Sequence, residues 1–229
     1  MSSTMAMFYA ASTWVLPVVF AVTLHEAAHG LVAYRCGDDT AWRMGRVTAN
    51  PLNHIDRFGT ILLPALLILV RSPFLFGYAK PVPVNFGRLN NPRRDRVWVA
   101  LAGPATNVLL AIVSSLLFYG VVFIPPSPAE WVGANLVHSI QINAVLCVFN
   151  MLPLPPLDGG RVAVGLLPQP LGLRLARVER FGIPILLLFL FVVPMIGEKA
   201  GLDLNILSRL ISGPTEMLIR FVLTITGQT

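Results

Sequence analysis

The chain has 229 residues, of which 55% are hydrophobic and 12% are charged, against about 25% charged in ordinary globular domains. This composition excludes a typical soluble domain and predicts an all-α polytopic membrane protein with about five or six transmembrane helices. The formal net charge is +6, but the basic residues lie at the ends of apolar segments, so they indicate membrane orientation and not nucleic-acid binding.

The first apolar segment, from about Met5 to Tyr34, contains a His-Glu-Ala-Ala-His run at 25–29. Positions i and i+4 of a helix share a face, so His25 and His29 present two imidazole nitrogens to one metal ion. Glu26 lies beside them as a general base. Ionisable side chains deep in a membrane segment are costly and are tolerated where they line a cavity or a site. The run therefore predicts a metal-dependent hydrolytic site within the membrane.

The second apolar segment, Ile61 to Tyr78, differs from a straight span. Pro64 and an Arg-Ser-Pro run at 71–73 interrupt it, leaving about nine clean apolar residues, too few to cross. We expect a re-entrant segment that enters and leaves on one face. The next stretch, Lys80 to Asn85, alternates proline and valine, which predicts either a short extended strand able to pair with a substrate or a proline-rich loop.

Three later segments are predicted spans: Trp98 to Ile124, Trp131 to Leu152 and the shorter Phe181 to Ile196. The tail, Leu204 to Ile225, is interrupted by a Ser-Gly-Pro run and carries three charges. It is therefore expected either to cross the membrane or to lie partly in the interface.

A second motif ends the fourth segment, where residues 150–160 read Asn-Met-Leu-Pro-Leu-Pro-Pro-Leu-Asp-Gly-Gly. Three prolines break the helix, and two glycines let the backbone turn tightly beside Asp158. A zinc ion held by two histidines needs a third protein ligand, and in hydrolases a carboxylate is the usual choice. Asp158 is the best candidate for that ligand.

The two motifs together resemble the site-2 protease family of intramembrane zinc metalloproteases. The run at 25–29 matches the zinc-binding helix of that family, residues 150–160 match its second motif, and a Gly-Pro-Ala-Thr-Asn run at 103–107 matches its intervening helix. The resemblance implies one Zn²⁺ per chain. It also implies cleavage of transmembrane segments of membrane proteins, with single-pass proteins as substrates and the bacterial inner membrane as the location.

The short turn from Pro125 to Glu130 leaves no room for the PDZ domain that many bacterial relatives insert. The resemblance is therefore to the compact bacterial type without that domain. We predict a single integrated membrane peptidase domain over 1–229, with a catalytic core over about 5–165 and C-terminal helices over about 175–226. The sequence does not predict an oligomeric state.

Other polar residues near the motifs are candidates for supporting roles. Asn150 and Asn107 are suited either to stabilise an oxyanion or orient ligands, or to satisfy backbone groups at a broken helix. Asn150 is preferred as a catalytic residue because it shares a motif with Asp158. A further pair, His54 and Asp56, is expected to form a local turn and not a second metal site. His138 is not expected to be a zinc ligand, because helical rise separates it from Asp158. Asn143 is expected to pack between helices and not to act as a catalyst.

Charge distribution predicts the orientation. The motif helices must run parallel to meet at one metal, so one crossing separates them. Residues 35–96 and 161–180 then share a side, where they hold ten and four of the seventeen basic residues. The positive-inside rule places that side, and the metal near it, toward the cytoplasm.

Two other functions are compatible with the sequence. A zinc transporter needs several exchangeable sites along a path, whereas one cluster is evident. A non-catalytic scaffold would have lost Glu26 or a metal ligand, and this chain has kept all four residues.

Overall fold

The computed structural model describes residues 3–69, residue 77 and residues 79–228, and the regular elements in these residues are helices. The α-helices are α1 (Ser3–Arg35), α2 (Thr40–Arg43), α3 (Leu63–Leu69), α4 (Pro92–Phe118), α5 (Pro126–Asn150), α6 (Asp158–Leu166), α7 (Gln169–Leu187), α8 (Val193–Lys199) and α9 (Ile206–Ile225). Short turns of 3-10 or π-helix connect or extend them at Pro51–His54, Arg57–Leu62, Phe86–Arg88, Tyr119–Phe123 and Leu188–Val192.

Four helical stretches in the described chain are long and apolar enough to cross a membrane: Met5–Arg35, Pro92–Phe123, Pro126–Asn150 and Gln169–Lys199. The prediction of an all-α membrane protein is therefore supported. The predicted number of five or six spans is not confirmed. The tail forms α9, a helix of 20 residues, which is not among these four stretches.

The short strand predicted at Lys80 to Asn85 is not confirmed, because residues 79–85 form neither helix nor strand ladder. Pro81 and Pro83 have no N–H, and the N–H groups of Val82 and Asn85 donate to the carboxylates of Glu26 and Asp38 and not to a neighbouring strand. The middle of the predicted re-entrant segment, residues 70–76 and 78, lies outside the described residues. Its first part forms the end of the Arg57–Leu62 turn and α3.

Helices α1, α4 and α5 alternate in direction. His25 contacts Asn107 and His29 contacts Val99, so residue numbers rise along α1 as they fall along α4. The same reversal relates α4 to α5. Helices α1 and α5 are therefore parallel, as predicted from the sequence, and the segment that follows α5 emerges on the side where α1 ends.

The bundle is packed with small and polar residues inside and large apolar residues outside. Buried positions on α1, α4 and α5 include Thr13, Ala21, Ala111, Ser115 and Ala144. Large side chains such as Phe8, Leu109 and Phe123 are more than half exposed. Small interior residues let helices approach closely in a membrane, where lipid is as apolar as leucine. The exposed apolar surface thus suits a lipid environment.

Pro17 and His138 pin α1 to α5. Because Pro17 has no N–H, the carbonyl of Thr13, four residues earlier, loses its helical partner. The Nδ1 of His138 lies 3.1 Å from that carbonyl oxygen and donates to it, and the ring of Trp14 stacks on His138 at 4.0 Å. His138 therefore joins two helices and lies apart from the metal-ligand candidates.

Candidate metal centre

Helix α1 presents two histidines on one buried face. The Nε2 atoms of His25 and His29 lie 3.1 Å apart, and each residue is 6% exposed. Four residues make slightly more than one helical turn, so the two rings lie one above the other. The spacing in the sequence is thus translated directly into a pair of converging nitrogen atoms.

The carboxylate of Asp158 lies close to both Nε2 atoms, but it comes from the end of an irregular loop and not from the middle of a continuous helix. Residues 151–157 form an irregular loop after α5, and α6 begins at Asp158 itself. The Asp158 Oδ2 atom lies 3.2 Å from Nε2 of His25 and 3.3 Å from Nε2 of His29. This oxygen is buried and has no hydrogen-bond partner in the described chain.

These three atoms have the spacing and chemistry of a zinc site. Ligands at about 2.0–2.1 Å from a tetrahedral zinc ion lie about 3.3 Å from one another, and the three separations here are 3.1, 3.2 and 3.3 Å. Two imidazole nitrogens and one carboxylate leave a fourth position for water, as in catalytic zinc sites. An otherwise unpaired buried carboxylate oxygen fits a cation, because burying it alone is costly.

Both histidines are held by their other ring nitrogen. The Nδ1 of His29 lies 2.7 Å from the carbonyl oxygen of Val99, and the Nδ1 of His25 lies 2.6 Å from Oδ1 of Asn107. A carbonyl oxygen only accepts, so each contact favours a proton on Nδ1 and a free lone pair on Nε2. This arrangement is the usual one for histidines that bind a metal.

Gly103 on α4 provides the space for the site. A Cβ atom at this position would lie 2.5 Å from Nε2 of His25 and 2.5 Å from Nε2 of His29. Any side chain there would therefore occupy the volume between the two nitrogens. The Gly-Pro segment singled out in the sequence thus lies against the ligands, and glycine is required by close approach.

Glu26 is bonded to the stretch predicted as a strand. The backbone N–H of Val82 donates to Oε2 of Glu26 at 2.8 Å, and Val82 is buried. The stretch is fixed upstream as well, because the Lys80 N–H donates to the carbonyl of His54 and the Arg46 guanidinium donates to the carbonyl of Lys80. We call residues 80–85 the strap, since they lie across the end of α1 that carries Glu26.

Asp38 holds the other end of the strap, outside the membrane-spanning stretches. Its Oδ2 accepts the backbone N–H of Asn85 at 2.6 Å, and its Oδ1 accepts from Thr40. Burial alone would raise the pKa of Asp38, but the hydrogen bonds from Thr40 and Asn85 outweigh burial and hold the pKa below its ordinary value.

The other polar candidates lie in less direct positions. Asn150 donates to the carbonyl of Leu146 at 3.1 Å, so the catalytic role predicted for it stays a prediction. Asn107, ranked below Asn150 on sequence grounds, touches His25. His54 contacts the carbonyl of Thr48 and lies in a local turn. The role of Val82 has no sequence signal, because it depends on a backbone N–H.

Known proteins resemble this chain in sequence. Residues 13–140 match the family described as "Peptidase family M50". The chain is 42% identical over 188 residues to "Putative zinc metalloprotease YwhC" of Bacillus subtilis, covering 79% of this chain and 80% of that protein. It is 32% identical over 171 residues to "Putative zinc metalloprotease Rip2" of Mycobacterium tuberculosis, covering 75% and 63%.

An archaeal relative, "Putative zinc metalloprotease MJ0611" of Methanocaldococcus jannaschii, is 32% identical over 141 residues, which is 60% of this chain and 62% of that protein. No solved structure matches the chain significantly. The matched region contains the His-Glu-Ala-Ala-His helix, and the resemblance found in the motifs is thereby confirmed. The chain belongs to peptidase family M50, the site-2 protease family.

Proposed function

We propose that this protein is an intramembrane zinc endopeptidase that cleaves transmembrane segments of other membrane proteins. The observation that carries the proposal is the buried triangle of His25, His29 and Asp158, with Glu26 adjacent on the same membrane-competent helix. Family membership and the names of the relatives support a metalloprotease that binds zinc. Binding of one Zn²⁺ by these three side chains is part of the proposal.

The residues of the site divide the chemistry among them. Zinc, when bound, lowers the pKa of its water to about 7 and polarises a carbonyl. Glu26 accepts the proton of the attacking water and later delivers it to the leaving amine. The Val82 N–H occupies one carboxylate oxygen of Glu26, which fixes the carboxylate and leaves its other oxygen to carry the proton. Asn150 remains a candidate for oxyanion stabilisation.

The substrate must be locally extended before it can react. The carbonyls of a transmembrane helix are hydrogen-bonded within the helix, so a segment has to unwind before attack. The strap lies beside Glu26 and is suited to hold an unwound segment by main-chain pairing. Three of its N–H groups, those of Lys80, Val82 and Asn85, already donate to the protein. Substrate capture would therefore use the carbonyls of the strap and the Val84 N–H, or exchange one of these three bonds.

The proposed setting is a bacterial inner membrane, with the whole chain as one peptidase domain. Most basic residues are expected on the side of the strap and α6, which favours a site nearer the cytoplasmic face. Single-pass membrane proteins are the proposed substrate class.

The proposal is tested with purified protein in detergent and a panel of single-pass reporter helices. Glu26→Gln keeps the shape of the side chain but cannot accept the proton, so we expect cleavage to fall by at least about 100-fold while zinc is retained. Glu130→Gln, the same change at the exposed start of α5, is the matched control and should cleave like the wild type.

Each alternative outcome has a distinct meaning. Equal cleavage by wild type and Glu26→Gln would contradict the role of Glu26 and point to a contaminating protease. Zinc retained without cleavage of any reporter by the wild type would favour a non-catalytic scaffold. Stoichiometric movement of zinc into liposomes would favour a transporter, which the single cluster in the described chain does not support.

A further inference from the structure

A chain of buried amides leads from α5 to the histidine ligand candidates. Asn107 on α4 and Asn143 on α5 are 0% and 1% exposed, and Nδ2 of Asn107 donates to Oδ1 of Asn143 at 2.8 Å. The last hydrogen bond of this series lies on α5, where Nδ2 of Asn143 donates to the backbone carbonyl of Ser139 at 2.8 Å. The other end is the bond between Asn107 and His25.

The donor and the acceptor of each hydrogen bond in this series of amides are fixed. The carbonyl of Ser139 can only accept, so the group of Asn143 that faces it must be the NH₂ group. The Oδ1 of Asn143 then faces Asn107 and must receive a proton from its NH₂ group. That group also points at the carbonyl of Ala21, 3.4 Å away, which again only accepts. The Oδ1 of Asn107 is therefore the atom left to face His25.

The direction of the amides determines which nitrogen of His25 carries a proton. Facing an oxygen at 2.6 Å, Nδ1 must be the donor, and Nε2 keeps the lone pair that a metal requires. If the Asn107 amide were turned over, its NH₂ group would face Nδ1 and favour the opposite tautomer. Amide oxygen and nitrogen are nearly equal in size, so packing alone does not choose between them.

We infer that Asn143 is a positioning residue for the metal site: it fixes the direction of the Asn107 amide, and through it the ring tautomer and orientation of His25. The two histidines thus reach the same state by different routes. The Nδ1 of His29 bonds directly to the carbonyl of Val99, whereas His25 depends on the Asn107 amide. That amide donates to Asn143 at 2.8 Å and to the more distant Ala21 carbonyl at 3.4 Å. The inference rests on the proposed zinc site and extends it to a helix that supplies none of the three ligand candidates.

Helix α5 carries two other asparagines with which the positioning role of Asn143 can be compared. Asn135, Asn143 and Asn150 each donate to the carbonyl four residues earlier, at 2.8, 2.8 and 3.1 Å. Asparagine side chains in helices commonly form this local hydrogen bond. In the described chain, the hydrogen bond from Asn107 to Oδ1 sets Asn143 apart from the other two. Asn135 is therefore the natural control for Asn143.

The first test measures zinc affinity by competition with a chelator, using the full chain in detergent. Asn107→Leu should lower the affinity by up to about 100-fold and Asn143→Leu by about 10-fold, the range for partners that orient metal ligands. Asn135→Leu should leave it unchanged. In the zinc-free protein, ring ¹⁵N chemical shifts of His25 should report a proton on Nδ1, and Asn143→Leu should produce a mixture of tautomers.

The second test asks whether direction, and not packing, is what Asn143 contributes. Asn107→Asp offers an oxygen acceptor whichever way the carboxylate turns, so His25 no longer needs Asn143. In that background, Asn143→Leu should cost no zinc affinity, although the same change costs about 10-fold in the wild type. Asn143→Ala, which removes the amide without adding an apolar branch, is compared in both backgrounds in case the leucine variant folds poorly.

The outcomes separate this inference from the proposed function. Equal zinc affinity in Asn143→Leu, Asn143→Ala and Asn135→Leu would overturn the role of Asn143, and so would an equal loss in the Asn107→Asp background. An absence of zinc binding by the wild-type protein would contradict the proposed function itself. Normal affinity in the wild type and in Asn135→Leu, with a loss in the Asn143 variants that disappears in the Asn107→Asp background, is the result that supports the inference.

Discussion

The metal-ligand candidates come from two regions that are built in different ways. His25 and His29 lie on one continuous helix of 33 residues, and their separation follows from helical periodicity. Asp158 lies where an irregular loop becomes the first turn of α6, and its position depends on contacts between backbone segments. A helix thus fixes the spacing of a ligand pair by itself, whereas a ligand on a loop needs neighbouring segments that hold its backbone in place.

The glycines that follow Asp158, and one glycine of α7, pack directly against the backbone of the 151–157 loop. A Cβ atom on Gly159 would collide with the carbonyl oxygens of Met151 and Leu152, and one on Gly160 would collide with the backbone of Pro155. Gly182 on α7 likewise faces the carbonyl of Pro155. The helix-borne pair depends on one such contact, at Gly103. Glycine substitutions therefore test the two regions separately.

The largest effect is expected at Gly103. In Gly103→Ala the new methyl group would lie 2.5 Å from both histidine Nε2 atoms, so the site would be filled and the rings pushed apart. We expect zinc affinity to fall by more than about 100-fold, beyond the loss caused by changing a supporting residue. Gly120→Ala, at a position with open space around it, is the control. Normal zinc binding by Gly103→Ala would show that the ion is held elsewhere.

A smaller effect on zinc, with a larger effect on folding, is expected in the loop region. Gly159→Ala should force α6 away from residues 151–152 and shift Asp158, lowering stability by about 1–3 kcal/mol and zinc affinity by about 10-fold. Thermal unfolding with and without zinc measures both quantities. Gly213→Ala, in open space on α9, should instead raise stability by up to about 1 kcal/mol. Unchanged zinc affinity in Gly159→Ala would contradict the dependence of Asp158 on its loop contacts.

The two regions were not equally predictable from sequence. The 25–29 run gave the pair of nitrogens and their shared face, because helical geometry is regular. The 150–160 run predicts Asp158 as the third ligand by its chemistry. The loop geometry that brings its Oδ2 within 3.3 Å of both nitrogens depends on tertiary contacts of three glycines. The hydrogen bond from Val82 to Glu26 and the series of amide hydrogen bonds through Asn143 also join distant segments, so no local sequence pattern predicts them.

The strap connects Glu26 on α1 to irregular backbone through the hydrogen bond from Val82. Val82→Pro removes the N–H that bonds Glu26 while keeping an apolar side chain. We expect cleavage of a reporter helix to fall by about 10- to 100-fold, as small displacements of a catalytic group do, with zinc unchanged. Val84→Pro is the matched variant, since its N–H has no hydrogen bond in the described chain. An equal loss in both variants would favour strand pairing with substrate over the contact with Glu26.

The smallest effect concerns acid stability at the far end of the strap. The pKa of Asp38 is lowered in the folded protein, so its ionised form stabilises the fold above the unfolded pKa of about 3.9. That contribution is lost as pH falls through the lower, folded pKa. The difference in unfolding temperature between wild type and Asp38→Asn should therefore be full at pH 7 and shrink below about pH 4. A difference that grows on acidification would contradict this sign.

If His25, His29 and Asp158 together hold one zinc ion, the zinc content per chain of purified variants should depend on these three residues. Wild type, Glu26→Gln and His54→Ala should each retain about one ion, because Glu26 and His54 lie outside this set of ligands. His25→Ala, His29→Ala and Asp158→Ala should each lose it. Retention of zinc by Asp158→Ala, or its loss from His54→Ala, would contradict the assignment.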